Sequence, residues 1–309
     1  MTVMLEEKRL SQRRKQMIYF SSIHPAAGAL YFLSMLVITM FSSNLILTAI
    51  ALMGGVLFFV QIEKHKRALK EFGVYLIMFI LISVANPLFS HKGMTPLFFL
   101  NGNPVTLEAA AYGINIALML ISVIYWFKCF NVIMTEDKLL YLLGKISPKI
   151  ALLISSSLRF IPLFKTQSAK IRMAQKSMGL FASDTWTDKL KGVARIYSAL
   201  ITWALENAID TGLSMKARGY GLKERKHYSI FSFRKTDVLF LTAVAALDVI
   251  IFFAIACGYM DFAFYPAITP PTPEIYNLAA TAAFSVLSLL PFILEIKENL
   301  QWTYYKSKI

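Results

Sequence analysis

Six apolar stretches, each close to the length that crosses a bilayer, constrain this chain more than any motif in it. A hydrocarbon core about 30 Å thick takes roughly 20 apolar residues of helix. The stretches run over 26–40, 45–62, 72–89, 107–133, 238–259 and 276–296. Only Phe-Ser-Ser-Asn (41–44) separates the first two, so the first is short and the pair should form a tight helical hairpin. Hydrophobic residues make up 57% of the 309, above the roughly 45–50% of a soluble domain. The expected fold is an all-α polytopic membrane bundle of about six spans.

Charge tests that assignment independently. The net charge is +14, a value that in a soluble protein would raise the possibility of nucleic acid. Here the positive residues alternate between loops. Lys8, Arg9, Arg13, Arg14 and Lys15 precede the first stretch. Lys64, Lys66, Arg67 and Lys70 follow the second, and Lys297, Lys306 and Lys308 follow the sixth. The intervening loops are nearly free of positive charge: 41–44 and 258–275 have none, and 90–106 has Lys92 alone. The positive-inside rule then places both termini in the cytoplasm, in the cell membrane, with an even number of spans. Lipid rather than nucleic acid is the expected neighbour of the basic residues. The first sixteen residues are too charged for the start of a cleaved signal peptide and read as a cytoplasmic tail.

Between the fourth and fifth stretches lies a basic segment of different character. The chain divides on this reading into 1–134 (tail and four spans), 135–237 (a cytoplasmic helical region) and 238–309 (two spans and a tail). Thr135 is placed to cap a first helix, and Pro148 to open a second that Pro162 kinks or ends. A basic helix follows from Phe164 to about Met178, where Gly179 stops it. Asp184 or Asp188 can cap a long helix that ends near Arg218. On that helix Ser198, Thr202, Glu206, Asp210 and Ser214 recur every four residues and make a narrow polar stripe. The rest of its surface is apolar or small, so it should pack on another helix or lie on the membrane.

Chemistry is sparse. The chain has no Gly-rich Walker loop, no His-Glu-x-x-His and no Gly-x-Ser-x-Gly, so no catalytic residue, metal or cofactor is expected. Cys129 and Cys257 show neither metal spacing nor a disulfide framework. His24, His65, His91 and His227 are scattered; His24-Pro25 marks the start of the first span. Asp248 lies deep in the fifth span, where a carboxylate is costly. It is therefore either a functional group or a protonated or bonded residue inside the bundle. Asn86-Pro87 is either a kink or the outer end of the third span. Arg218, between Ala217 and Gly219, suits a helix C-terminus, where a cation meets the macrodipole and glycine takes the left-handed cap. A guanidinium there is also suited to bidentate pairing with a carboxylate on another protein.

Several segments resemble one family. Ser157–Phe164 (SLRFIPLF), Ala174–Gly179 (AQKSMG), Ser214–Gly221 (SMKARGYG), Asn86–Gly93 (NPLFSHKG) and His24-Pro25 occur in the order seen in the transmembrane T component of energy-coupling factor (ECF) transporters, the EcfT or CbiQ family. The similarity runs from about His24 to Arg234. It implies a non-catalytic scaffold between two partner ATPases, which bind the ATP, and a small membrane S component that captures a vitamin or metal ion. It also implies coupling helices whose ends carry a central arginine that enters a groove on each ATPase. By that resemblance Ala217, Arg218 and Gly219 form the second motif. The first, Ser177, Met178 and Gly179, departs from it, with methionine at the centre. Met178 would then fill an apolar groove, or Lys176 or Arg172 would supply the charge; Arg159 and Pro162 are further candidates in the coupling region. Two readings compete: an intramembrane enzyme, which would need ionisable groups clustered around Asp248, and a self-sufficient secondary transporter, which would favour repeated, interrupted helices.

The topology is open to direct measurement. Single cysteines at Thr272 and Ser183, in a background lacking Cys129 and Cys257, are expected to label from outside whole cells at 272 and not at 183. The reverse pattern would overturn it.

Overall fold

The computed structural model describes residues 19–63, 65–90, 92–100, 103–179, 185–222, 231–271 and 274–307. The basic N-terminal tail and Lys64, His91, Ser183, Asp184, Lys223, His227, Thr272 and Lys308 lie outside the described residues. A 3-10 turn (Tyr19–Ser22) leads into α1 (Pro25–Phe41), α2 (Leu45–Ile62) and α3 (His65–Phe89). A small hairpin, β1 (Pro96–Leu100) and β2 (Asn103–Thr106), connects to α4 (Leu107–Ile133). Then come α5 (Glu136–Ile146), α6 (Pro148–Ser177), α7 (Trp186–Ala217), α8 (Lys235–Ala256) and α9 (Ile275–Ser307). This is an all-α membrane bundle. Among the described residues five helices are long and apolar enough to cross a bilayer, and α1, with 17 residues, is a shorter apolar helix.

The helix boundaries follow from local chemistry. Pro25 occupies the first turn of α1, where its missing N–H costs nothing. His24 caps that helix, its Nδ1 accepting from the Ala26 N–H at 3.2 Å. Asn44 caps α2 in the same way, Oδ1 accepting from Ile46 N at 2.9 Å. The α1–α2 connection is thus as short as expected. The two helices nevertheless do not form a closely packed pair, since α2 lies mainly against α4 and α9. Glycine explains the preference. Gly55 approaches Tyr125 and Trp126 of α4, and Gly54 approaches the Ser288 backbone of α9. Pro87 lies two residues before the end of α3, so Asn86-Pro87 belongs to the last turn of the third span.

Contacts divide the chain into two units: 1–138 with 231–309, and 139–230. The first has a core of Phe20, Tyr31, Phe32, Phe58, Trp126, Phe284 and Leu287. Polar side chains inside it reach carbonyls of neighbouring helices. Trp126 Nε1 donates to Ala51 O at 3.0 Å, Tyr31 Oη to Leu287 O at 3.0 Å, and Ser288 Oγ to Ile50 O at 3.2 Å. Asn115 accepts from Thr48 Oγ1 at 2.8 Å and donates to Ser43 O at 3.1 Å. At one end of this unit the Asp237 carboxylate accepts from the N–H groups of His24 (3.1 Å) and Arg234 (2.9 Å). There too the buried Lys138 donates to Ser21 O (2.7 Å) and Ile133 O (3.1 Å). Burial pushes the Lys138 ammonium below the ordinary lysine value. At the other end Asn44 donates to Met260 O at 3.4 Å, and the Ser90 and Tyr265 hydroxyls lie 3.5 Å apart. The loops after α1, α3 and α8 therefore share one end.

In the second unit α6 and α7 pack on each other, with Phe164 edge-on to Trp203 at 5.9 Å and 73°. Pro162 does not end the helix: α6 is one helix of 30 residues with Pro162 inside it. The cap of α7 is Thr185 and not Asp184 or Asp188; Asp188 sits in the first turn and accepts from Thr185 Oγ1 at 2.9 Å.

Two glycine substitutions separate crossing from propensity. A Cβ on Gly54 would run into the Ser288 hydroxyl and lie 2.8 Å from its carbonyl oxygen, whereas one on Gly73 would meet nothing within 4 Å. Gly54→Ala is expected to lose about 1–3 kcal/mol, read as a lower thermal midpoint of tryptophan fluorescence in detergent. Gly73→Ala should be unchanged or slightly more stable. Equal midpoints for the two variants would contradict the close α2–α9 crossing.

Candidate functional site

Two helix ends of the second unit have one backbone design. At the end of α6, Met178 has φ −85° and ψ 11°, and at the end of α7 Arg218 has φ −81° and ψ 11°. The next residue in each case is a glycine with positive φ, +79° at Gly179 and +75° at Gly219. The Gly179 N–H returns to Lys176 O at 3.1 Å, and the Gly219 N–H to Lys216 O at 3.0 Å. After α7 the Tyr220 N–H also returns to Met215 O at 3.0 Å, completing a Schellman turn. Glycine is required because a side chain in this left-handed conformation crowds its own carbonyl. At each end the N–H of the following glycine, not a side chain, meets one of the last helical carbonyls.

That frees the central side chain at both tips. Arg218 is exposed, and its guanidinium has no ionic or hydrogen-bonded partner among the described residues. Met178 is 72% exposed, far above what a thioether in a packed core shows. Lys176 is exposed in the last turn of α6, and Arg172 lies one turn further back, also exposed. Ser177 turns its hydroxyl to Met173 O at 3.1 Å, and Ala217 is exposed. The tips can thus each offer one outward residue on a fixed backbone, cationic on α7 and apolar on α6 with cations behind it.

Other candidates fall away from these tips. Arg159 stacks over the Phe160 ring at 5.6 Å and, with Pro162, lies mid-helix on α6. Nineteen residues at 1.5 Å each put Arg159 about 28 Å from Met178 along the helix. Asp248 belongs to the other unit. It is half-buried on α8, its Oδ1 has no partner among the described residues, and Ser34 is beside it. The polar stripe of α7, Ser198 to Ser214, is exposed. Its apolar remainder divides: Trp203 turns to α6, while Leu205, Ile209 and Leu213 stay uncovered.

Some polar residues had gone unnoticed. Lys128, inside the fourth span, pairs with Glu71 at the start of the third and sits 4.6 Å from the Tyr75 ring centre. A lone lysine within an apolar run was the available signal, since such a charge needs a partner. Asp237 and Lys138 had the weaker signal of lying beside apolar helices.

Comparison with known proteins bears on these tips. The family model for CbiQ, described as a cobalt transport protein, matches residues 20–228, well over half the chain and both tips. The chain belongs to the CbiQ family. Curated relatives named energy-coupling factor transporter transmembrane protein EcfT include one from Listeria innocua, 36% identical over 106 residues. Those from Lactobacillus helveticus and Bacillus subtilis are 38% identical over 95 residues and 30% over 107. The matches cover 34%, 30% and 34% of this chain. They span 40%, 34% and 40% of those relatives' lengths.

The glycine stops give a test independent of any partner. Gly219→Ala is expected to cost the last turn of α7 about 1–2 kcal/mol and to speed amide exchange at Gly219–Tyr220, measured by mass spectrometry. Gly219→Asn should be milder, because asparagine tolerates the left-handed region. An unchanged exchange rate in Gly219→Ala would show that the turn does not depend on glycine.

Proposed function

We propose that this membrane protein is the non-catalytic transmembrane scaffold, the T component, of an energy-coupling factor importer. It passes the work of two partner ATPases to a separate S component that captures a vitamin or metal ion. ATP is bound by the ATPases, and this chain supplies no catalytic group. Both termini and unit 139–230 face the cytoplasm, with the loops after α1, α3 and α8 outside. The observation that carries this reading is the pair of matched helix ends, each holding one outward residue beyond a glycine stop. The names of the EcfT relatives support it.

In mechanism, the Schellman turn fixes where Arg218 leaves the helix, so its planar fork meets an acidic groove with little conformational entropy left to lose. Met178 presents a shorter, flexible apolar side chain to the second ATPase. An arginine on one tip and a methionine on the other suits two ATPases with different grooves. An intramembrane enzyme or self-sufficient transporter would instead centre on Asp248, whose described neighbour Ser34 already donates to Tyr31 O at 3.0 Å.

Truncating one partner of a buried ion pair costs about 2–5 kcal/mol, a factor of roughly 30 to several thousand in affinity. Arg218→Ala is accordingly expected to insert normally yet lose most ATPase pull-down from detergent and most uptake in cells at matched expression. Arg218→Lys should recover part of both, since the charge remains without the fork. Met178→Ala should lose about 1–3 kcal/mol of packing, and Lys191→Ala, exposed early on α7, should change little. Full association in Arg218→Ala would reduce the residue to a helix-end cation. A larger loss in Met178→Ala would move the main anchor to α6.

A further inference from the structure

The hairpin between α3 and α4 is built at its root and bare at its outer strand. At the root, Thr106 Oγ1 donates to Lys92 O at 2.6 Å and accepts from Ala109 N at 3.3 Å, capping α4. The buried Glu108 carboxylate accepts from Thr95 Oγ1 at 2.7 Å, and the Leu107 N–H reaches Thr95 O at 3.1 Å. Val105 and Thr106 of β2 are buried. β1 pairs antiparallel with β2, Phe98 opposite Val105 and Phe99 opposite Pro104, and its other edge pairs with no strand among the described residues.

Successive side chains of a strand point to opposite faces. Phe98 and Phe99 therefore lie on opposite sides of the hairpin, yet they are 53% and 69% exposed, and Leu97 is 57% exposed. Met94 is exposed as well. A strand that is apolar on both faces and open at its edge is an aggregation hazard in water. The segment from Gly93 to Leu107 contains no charged residue.

Position identifies what covers it. β1 begins at Pro96, seven residues after Phe89, the last residue of α3, and β2 ends at Thr106, immediately before Leu107, the first of α4. The membrane span of α3 is only 6% buried, less than any other candidate span among the described residues, and its Ile77, Leu81, Leu88 and Phe89 are exposed. Met94, Leu97, Phe98 and Phe99 add further exposed apolar side chains in the segment that follows this helix. The hydrocarbon core is excluded, because a two-stranded sheet leaves edge N–H and C=O groups unsatisfied there. The boundary between headgroups and acyl chains supplies both needs: water and ester oxygens for the edge, apolar chains for the aromatics. The absence of charge favours zwitterionic lipid over an acidic or basic protein surface.

We propose that the β1–β2 hairpin is an interfacial membrane anchor, seated at the headgroup–acyl boundary where α3 ends, with Leu97, Phe98 and Phe99 as its lipid contacts. It would hold the α3–α4 pair at a fixed depth, supported from below by the Thr106–Lys92 and Glu108–Thr95 bonds. The inference needs only the multi-pass membrane fold and is independent of the transporter reading.

The test uses the full chain with Cys257→Ser, leaving the buried Cys129 in place, reconstituted alone in phosphatidylcholine vesicles. Phe98→Cys and Phe99→Cys are labelled with an environment-sensitive fluorophore, and Lys92→Cys serves as the water-facing control. The expected result at 98 and 99 is blue-shifted emission, strong quenching by lipids spin-labelled near the headgroup, weaker quenching by deep labels, and little quenching by aqueous iodide. Iodide quenching equal to that at 92 would overturn the proposal in favour of a solvated hairpin. Stronger quenching by deep labels would also overturn it. Protection from both iodide and lipid would overturn it in favour of cover by a second copy of this chain.

Discussion

A bilayer core supplies no hydrogen-bond partner to a polypeptide, and most features of this fold answer to that constraint. Helices satisfy their own backbones, so the remaining donors are side chains, and several of them reach carbonyls of neighbouring helices. Trp126 finds Ala51, Tyr31 finds Leu287, and Asn115 joins Thr48 to Ser43. Apolar contact between helices gains little over contact with lipid tails. The register of α1, α2, α4 and α9 is therefore fixed by these few bonds and by the glycines that let backbones come close.

The same economy governs the end where the chain leaves the bundle and returns. Lys138, the last residue before the second unit, is held by the carbonyls of Ser21 and Ile133. Asp237, shortly after the return, gathers the amides of His24 and Arg234, and the His24 ring stacks on Phe233 at 3.7 Å. One short stretch, Phe20 to His24, thus fastens both the departing and the returning strand. A displacement of either crossing point must disturb buried hydrogen bonds at the other.

Length and hydropathy made the spans readable: the second and fourth were placed to the residue, and the positive-residue alternation agrees with the shared ends seen in the contacts. Both glycine stops were visible because only glycine suits that backbone. What sequence could not supply was partner choice. Nothing in residues 41–44 says that α2 prefers α4 and α9 to α1; that depends on Gly54 and Gly55 meeting particular surfaces. Pro162 carried a breaker signal, yet α6 runs through it without ending. The hairpin of 96–106 was missed because two short strands beside long spans carry little periodicity, and Lys128 was missed because its partner Glu71 is distant in sequence.

The glycine-stopped helix ends have a consequence for how such proteins diversify. Because the following glycine sets the turn, the residue at each tip can change without any refolding of the helix that carries it. A methionine codon becomes an arginine codon by a single base change, AUG to AGG. A lineage with two unlike tips is thus one mutational step from a lineage with two like ones.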